Sequence, residues 1–170
     1  MYRRRQRYFR SFPYRSSKTR YSNETMNSTN ELEFTGAGST NINPITLVPA
    51  ISQQGVRKTK NYTLSLYCSV IGENSLEAPL QFVLVYVPEG TTASALNIGT
   101  NQATASLYEP NQNVILQGSI LAGGSVVQRF STRLARNLNS GDSVQLILQN
   151  PSGVQGNATL QTQLNYSIAY

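Results

Sequence analysis

The sequence predicts an all-β protein, a strand-built body that follows a disordered basic N-terminal arm. Three observations lead there. Several segments alternate apolar and polar residues with the period of two that a half-buried strand requires, most clearly Tyr62, Leu64, Leu66, Cys68 and Val70 and, later, the odd–even pattern of residues 158–170. Almost no helical periodicity accompanies them. Only 13% of the 170 residues are charged, and the polar remainder is rich in Asn, Gln, Ser, Thr and Gly, where helical proteins use more Glu, Lys and Ala. A chain of this length supports one domain with a real core.

The arm comes first. Residues 1–20, MYRRRQRYFRSFPYRSSKTR, hold Arg3, Arg4, Arg5, Arg7, Arg10, Arg15, Lys18 and Arg20 and no acid, a charge of +8. The whole chain has 14 bases and 8 acids, so residues 21–170 keep six bases against eight acids and carry −2. Like charges at such density repel, and the segment lacks the apolar periodicity needed to offset its ordering entropy. Blocks of this kind read as interaction arms, commonly for nucleic acid. Tyr2, Tyr8, Phe9, Phe12 and Tyr14 are interleaved with the arginines, which suits a polyanion with bases: guanidinium forks bind phosphate while rings stack on unpaired bases. Competing readings are a transit peptide, a nuclear-localisation signal and an anionic membrane surface. Against the first stand the density of Arg3, Arg4, Arg5 and Arg7 and the helix-breaking Pro13.

Residues 21–30 read as a polar linker, which sets the arm at 1–28 and the body at 29–170. Glu31 to Thr35 alternates and is expected to be the first strand. Gly36, Gly38, Pro44 and Pro49 punctuate an irregular extended stretch holding Ile42, Ile45, Leu47, Val48 and Ile51. Residues 56–71 form the clearest strand, entered through Arg57, Lys58 and Lys60. After a loop at 72–79, Phe82 to Val87 is a continuous β-branched and aromatic run, as expected of a strand buried on both faces. Residues 91–112 are a weakly patterned loop with a short helix or turn. Val114 to Ile120 is a further strand, Ala122-Gly123-Gly124-Ser125 a turn, and Val126 to Thr132 a short strand bearing Arg129. Residues 133–142, RLARNLNSGD, read as a loop closed by a Ser-Gly-Asp turn, followed by a buried strand at Val144 to Leu148. The final alternation from Ala158 to Tyr170 would span about 43 Å at ~3.3 Å per residue, long enough to demand either a bulge or a second role in subunit contacts. The seven or eight strands favour a double-sheet architecture that manages its edges: a sandwich, Greek key or jelly roll.

Catalytic chemistry finds no foothold. The chain has no histidine and one cysteine, Cys68, which removes Ser–His and Cys–His nucleophile pairs and zinc sites. Cys68 lies on an apolar alternation and reads as a small core residue. Glu31 and Glu33 share a strand face and read as a solvated edge; the glycine clusters at 36–38 and 123–124 do not fit a phosphate loop. No cofactor, metal site or catalytic residue is expected. No apolar run of about 18 residues exists to cross a membrane. The N-terminal residues show no secretory pattern, so the sequons at Asn23, Asn27, Asn61, Asn157 and Asn165 are expected to be chance matches. Two further basic sets, Arg57/Lys58/Lys60 and Arg129/Arg133/Arg136, are solvated strand ends and loops on their own. With the arm present they become candidates for a continuing phosphate-binding face.

The order of these features resembles a known family. An Arg/Tyr-rich arm precedes a β-body holding VRKTKNYTLSLYCS, a strand ending VLVYVPEG, and RFSTRLARNLNSGDSVQLIL. This is similar to the capsid protein of small circular single-stranded-DNA viruses, the circovirus-like, Rep-encoding group, with residues 133–142 the most specific piece. The resemblance implies an eight-stranded jelly roll of two facing four-stranded sheets. It also implies a T=1 icosahedral shell of about 60 copies, arms directed onto a single-stranded DNA genome, and no membrane insertion. Its location would be the virion, and the host nucleus during assembly, with nuclear import factors and a host receptor as further partners. The nucleic-acid-binding set is then Arg3, Arg4, Arg5, Arg7, Arg10, Arg15, Lys18, Arg20, Tyr8, Phe9, Arg57, Lys58, Lys60 and Arg129. Two other classes stay open on the residues alone: a single-stranded nucleic-acid-binding β-module with a basic tail, and a jelly-roll ligand-binding or enzyme domain whose tail only targets it.

Overall fold

Strand alternation organises the chain throughout. The structure, a computed structural model, describes residues 19–34, 44–52, 55–70, 78–91, 93, 113–151 and 154–170. Among the described residues nine strands run in order: β1 (Ser22–Phe34), β2 (Ile45–Val48), β3 (Arg57–Val70), β4 (Pro79–Val87), β5 (Val114–Leu121), β6 (Gln128–Thr132), β7 (Arg136–Leu138), β8 (Ser143–Gln149) and β9 (Gly156–Ala169). They form two antiparallel sheets, one ordered β1-β9-β3-β6 with β7 also on β3, the other β2-β8-β4-β5.

β6 and β7 are one edge strand interrupted at residues 133–135, since both pair with β3, β6 along Tyr62–Leu66 and β7 along Arg57–Thr59. Counted so, eight strands fall into two four-stranded sheets. The chain passes from sheet to sheet in the double Greek-key order of a jelly roll. The interruption faces a bulge in β3. The β3–β9 register shifts between Lys60 and Thr63, and Asn61 there takes φ 55°. A bulge of one extra residue flips which parity faces the core. Tyr62, Leu64, Leu66 and Cys68 point inward beyond it; Arg57 and Thr59 point inward before it.

Leu32, Phe34, Leu64, Leu66, Leu160 and Leu164 of the first sheet pack on Leu47, Leu80, Phe82, Leu84, Leu146 and Leu148 of the second. Each buried side chain of this size stabilises the fold by about 1.5–3 kcal/mol relative to exposure. Aromatic pairs seal the layer: Tyr62 against Tyr166 at 6.1 Å between ring centroids, and Phe82 edge-on to Phe130 at 4.7 Å. Gly118 lies opposite Phe82, and a Cβ there would come within 2.8 Å of its ring. Val83, Val85 and Val87 of β4 turn the other way and join Ile147, Ala93 and partly buried Val114 in a second apolar cluster. That cluster is why β4 reads as apolar on both faces.

Several expectations are corrected. The first strand opens at Ser22, not Glu31, so residues 22–28, assigned to linker and arm, are strand. Its polar half is specified by its partner and not by burial: Thr25 Oγ1 donates to Asn165 Oδ1 at 2.6 Å, and Ser167 Oγ to Asn23 Oδ1 at 3.0 Å. The proline-punctuated stretch holds strand β2, and the 133–142 loop holds β7. β9 neither bulges against β1 nor keeps one end free: it pairs with β1 from Gly156 to Ile168 and with β3 from Ala158 to Ala169. The 122–125 turn is present, with Gly123 at φ 82°. The readings for residues 1–18, 35–43, 71–77 and 94–112 lie outside the described residues.

Candidate nucleic-acid interface

Alternation sends one set of side chains of the β1-β9-β3-β6 sheet away from the core. On that face stand Asn23, Thr25, Asn27 and Thr29 of β1, Gln161, Gln163 and Asn165 of β9, and Thr63 and Tyr67 of β3, a carpet of amides and hydroxyls with one ring. Charge collects at its ends. Glu31 and Glu33 lie opposite Thr159 and Asn157 at one end. Lys60 lies opposite Ser167 and Lys58 opposite Ala169 at the other, where β1 begins. Ser22 and Glu33 lie eleven residue steps apart along β1, roughly 36 Å at ~3.3 Å per residue.

The basic end is also where the arm joins. Lys60 Nζ sits 3.6 Å from the centroid of the Tyr21 ring. A cation on a partly exposed ring contributes about 0.5–1 kcal/mol, a modest tie between β3 and the residue that precedes β1. Arg20, the described residue of the arm's basic set, is exposed beside this junction.

The expected binding residues separate into three groups. Arg3, Arg4, Arg5, Arg7, Arg10, Arg15, Lys18, Tyr8 and Phe9 lie outside the described residues. Arg20, Lys58 and Arg129 are exposed and Lys60 is half-buried, and all four are open to an anion. Arg57 is a correction. It is 4% exposed; its Nη1 donates to Pro49 O at 3.0 Å and its Nη2 to Asp142 O at 2.9 Å. Buried and engaged on two backbone carbonyls, it ties the approach to β3 to the β7–β8 turn and offers nothing to a phosphate. The bulge explains the difference: parity carried back from Tyr62 places Arg57 outward and Lys58 inward, the reverse of what the structure shows. In the second set, Arg133 is exposed, whereas half-buried Arg136 donates from Nη2 to Val114 O at 3.5 Å and its carbonyl accepts from Thr59 Oγ1 at 3.0 Å.

Sequence reasoning missed the clamp beneath this turn. The Asp142 carboxylate accepts from Tyr86 OH at 2.6 Å, Asn139 N at 2.6 Å and Glu89 N at 3.1 Å. Asp142 N in turn donates to Asn139 O at 3.2 Å, and Gly141 between them takes φ 80°, the sign that the third residue of a type II turn needs. A Cβ on Gly141 would run into the Glu89 side chain. Burial pushes the Asp142 carboxyl up, but the Tyr86 hydroxyl and the Asn139 and Glu89 amides outweigh it and hold it below its usual value. Burial, helped by the Asp142 hydrogen bond and charge, pushes the Tyr86 hydroxyl up to about 12. The available signal was the Asn139-Ser140-Gly141-Asp142 run itself, whose Gly and Asx residues are those a tight turn selects. Burial likewise pushes the Cys68 thiol up to about 11. Among the described residues no group of three or more Cys, Asp or Glu side chains is placed to hold a metal ion.

No family model matches the chain, and no curated protein matches it. Among solved structures it is similar to the 60-mer capsid protein of BFDV, beak and feather disease virus, a circovirus, at 8% identity and a TM-score of 0.38, over 91% of this chain and 95% of that one. It is also similar to the decameric form of the BFDV capsid protein, at 8% identity and a TM-score of 0.35, over 88% of this chain and 98% of that one.

Proposed function

We propose that this chain is a viral capsid subunit that self-assembles into a small icosahedral shell and packages single-stranded DNA through its Arg-rich arm. The observation that carries this reading is the division of the molecule. Residues 1–20 hold +8, and they join a near-neutral jelly roll at the one end of its polar face where Lys58 and Lys60 stand. The body supplies a rigid tile with low net charge, so copies pack without mutual repulsion. The arm supplies counterions for a polyanion. In a shell of about 60 copies the arms carry roughly 480 positive charges, which neutralise a few hundred phosphates. The same cluster, Arg3 to Arg10, serves nuclear import before assembly. A capsid of this kind performs no covalent chemistry.

Negative-stain microscopy and size-exclusion chromatography of the purified chain test assembly: uniform closed particles are expected, and a persistent monomer at high concentration refutes it. Deleting residues 1–20 is expected to abolish DNA packaging. For an arm that engages its eight cations, the logarithm of the association constant falls with the logarithm of salt with a slope of about −5 to −6. Unchanged DNA affinity of the truncated protein at physiological salt refutes the arm's role.

A further inference from the structure

The arm does not account for a groove on the folded body. On the outward face of the β1-β9-β3-β6 sheet lies a depression of about 280 Å³, lined by Asn27 and Thr29 of β1, Gln161 and Gln163 of β9, and Ser65 and Tyr67 of β3, with Val127 at its rim. The register orders these residues. Asn27, Gln163, Ser65 and Arg129 are successive partners across four strands, and Thr29, Gln161 and Tyr67 form the next row. Each row crosses the sheet at about 4.8 Å per strand, with rows about 6.7 Å apart.

From this geometry we infer that the groove receives an unpaired base of single-stranded nucleic acid, with the adjoining phosphate at Arg129. Each amide offers a donor and an acceptor on one rigid fork, the combination that pairs with base edges. The Tyr67 ring supplies a stacking surface beside them. Arg129, exposed at the end of the first row, supplies a guanidinium for phosphate. Among the described residues no carboxylate lines the groove. The acids of β1 that share this parity, Glu31 and Glu33, lie in the rows beyond Thr29, away from Lys58 and Lys60, and Glu24 near the basic end has the opposite parity, so the field on this face draws a polyanion in from the arm's end and bounds it at the other. A strand already held by the arm is at high effective concentration here: Asn27 is five residues along β1 from Ser22, roughly 16 Å. A neutral glycan would also satisfy the amides, but it would have no use for Arg129 or for the charge gradient. The inference rests on the nucleic-acid reading above and places a second, base-contacting element on the body.

The test uses the full-length protein and a short oligodeoxynucleotide carrying 5-iodouracil, irradiated and mapped by mass spectrometry. A crosslink at Tyr67 is expected. Replacing Tyr67→Leu is expected to weaken oligonucleotide binding about tenfold with the salt slope unchanged. Arg129→Gln is expected to lower the slope by about one. Crosslinks confined to arm residues, an unchanged affinity in the folded Tyr67→Leu protein, or displacement of the oligonucleotide from Tyr67 by a neutral oligosaccharide each overturn the inference. The two readings fail separately. A steep salt slope without a Tyr67 crosslink leaves the arm and removes the groove; a Tyr67 crosslink with a shallow slope leaves the groove and removes the arm.

Discussion

Replacing Asp142→Asn keeps the shape of the clamp and changes only its charge and donor pattern, so it isolates what the carboxylate contributes. Asp142 Oδ2 accepts from both Tyr86 OH and Asn139 N, and Oδ1 accepts from Glu89 N. An amide can place its oxygen at one of these positions; its NH2 then confronts a backbone N–H at the other. One hydrogen bond is lost, and those retained fall from charge-assisted to neutral strength. With about 1.5–3 kcal/mol for a bond to a charged acceptor and about 0.5–1.5 for a neutral one, the cost is about 3 kcal/mol. For a domain of this size that lowers Tm by about 6–12 °C. The measurement is thermal unfolding by far-UV circular dichroism at matched protein concentration, because self-association of any kind would shift Tm by mass action. pH supplies the control. The Asp142 carboxyl sits below its usual value in the fold, so its contribution is present above the unfolded pKa of about 3.9 and is lost as pH falls through the folded pKa. The gap between wild type and Asp142→Asn is therefore expected to narrow below about pH 4. Tyr86 titrates on the other side. Its hydroxyl is raised to about 12, so its contribution is intact below the unfolded value of about 10 and lost as pH rises toward 12. Tyr86→Phe removes that share of the alkaline loss, leaving the shares of Tyr62 and Tyr166, also raised by burial. A Tm shift under about 2 °C at neutral pH, or a gap that stays constant into acid, refutes the clamp.

Three other outcomes follow from the same geometry. Gly118→Ala is expected to destabilise by about 1–3 kcal/mol through overpacking, read by denaturant unfolding, because the added Cβ meets the buried Phe82 ring at 2.8 Å; equal or greater stability would mean the ring yields freely. Arg57→Met and Lys58→Gln are expected to part company: the first strands the Pro49 and Asp142 carbonyls and costs about 2–4 kcal/mol of stability without changing the salt dependence of DNA binding. The second leaves stability alone and lowers the salt slope by about one, and matching effects of the two would contradict their opposite orientations. Cys68, 3% exposed with its thiol pushed up to about 11, is expected to resist a maleimide at pH 8 until the protein is unfolded, because native labelling requires an exposed thiolate.

Legibility followed the hydrophobic signal. β3, β4, β8 and β9 announce themselves through Leu64, Leu66, Val83, Leu146, Leu160 and Leu164, which are buried in the structure. β1 hides its first half because Asn23, Thr25 and Asn27 are held by pairing to β9, and a strand specified by its neighbour leaves no periodic trace in its own residues. β2 and β7 have four and three residues, too few for a period to show. At the candidate interface, Arg57, Lys58 and Lys60 look equivalent in the sequence. A single extra residue at the bulge decides which of them is interior, and its effect on parity appears only when β3 is aligned with β9. The groove was invisible for a further reason: Asn27, Gln161, Gln163, Ser65 and Tyr67 come from segments that nothing in the linear order brings together.

β8 and β9, the last two strands in chain order among the described residues, are interior strands of the two sheets. Without them each layer lacks its middle, and β1 has no strand to pair with. A chain cut before β8 therefore keeps the eight basic residues of positions 1–20 but not the two-sheet body. Removing residues from 143 onward is therefore expected to unfold both layers together rather than trim one edge.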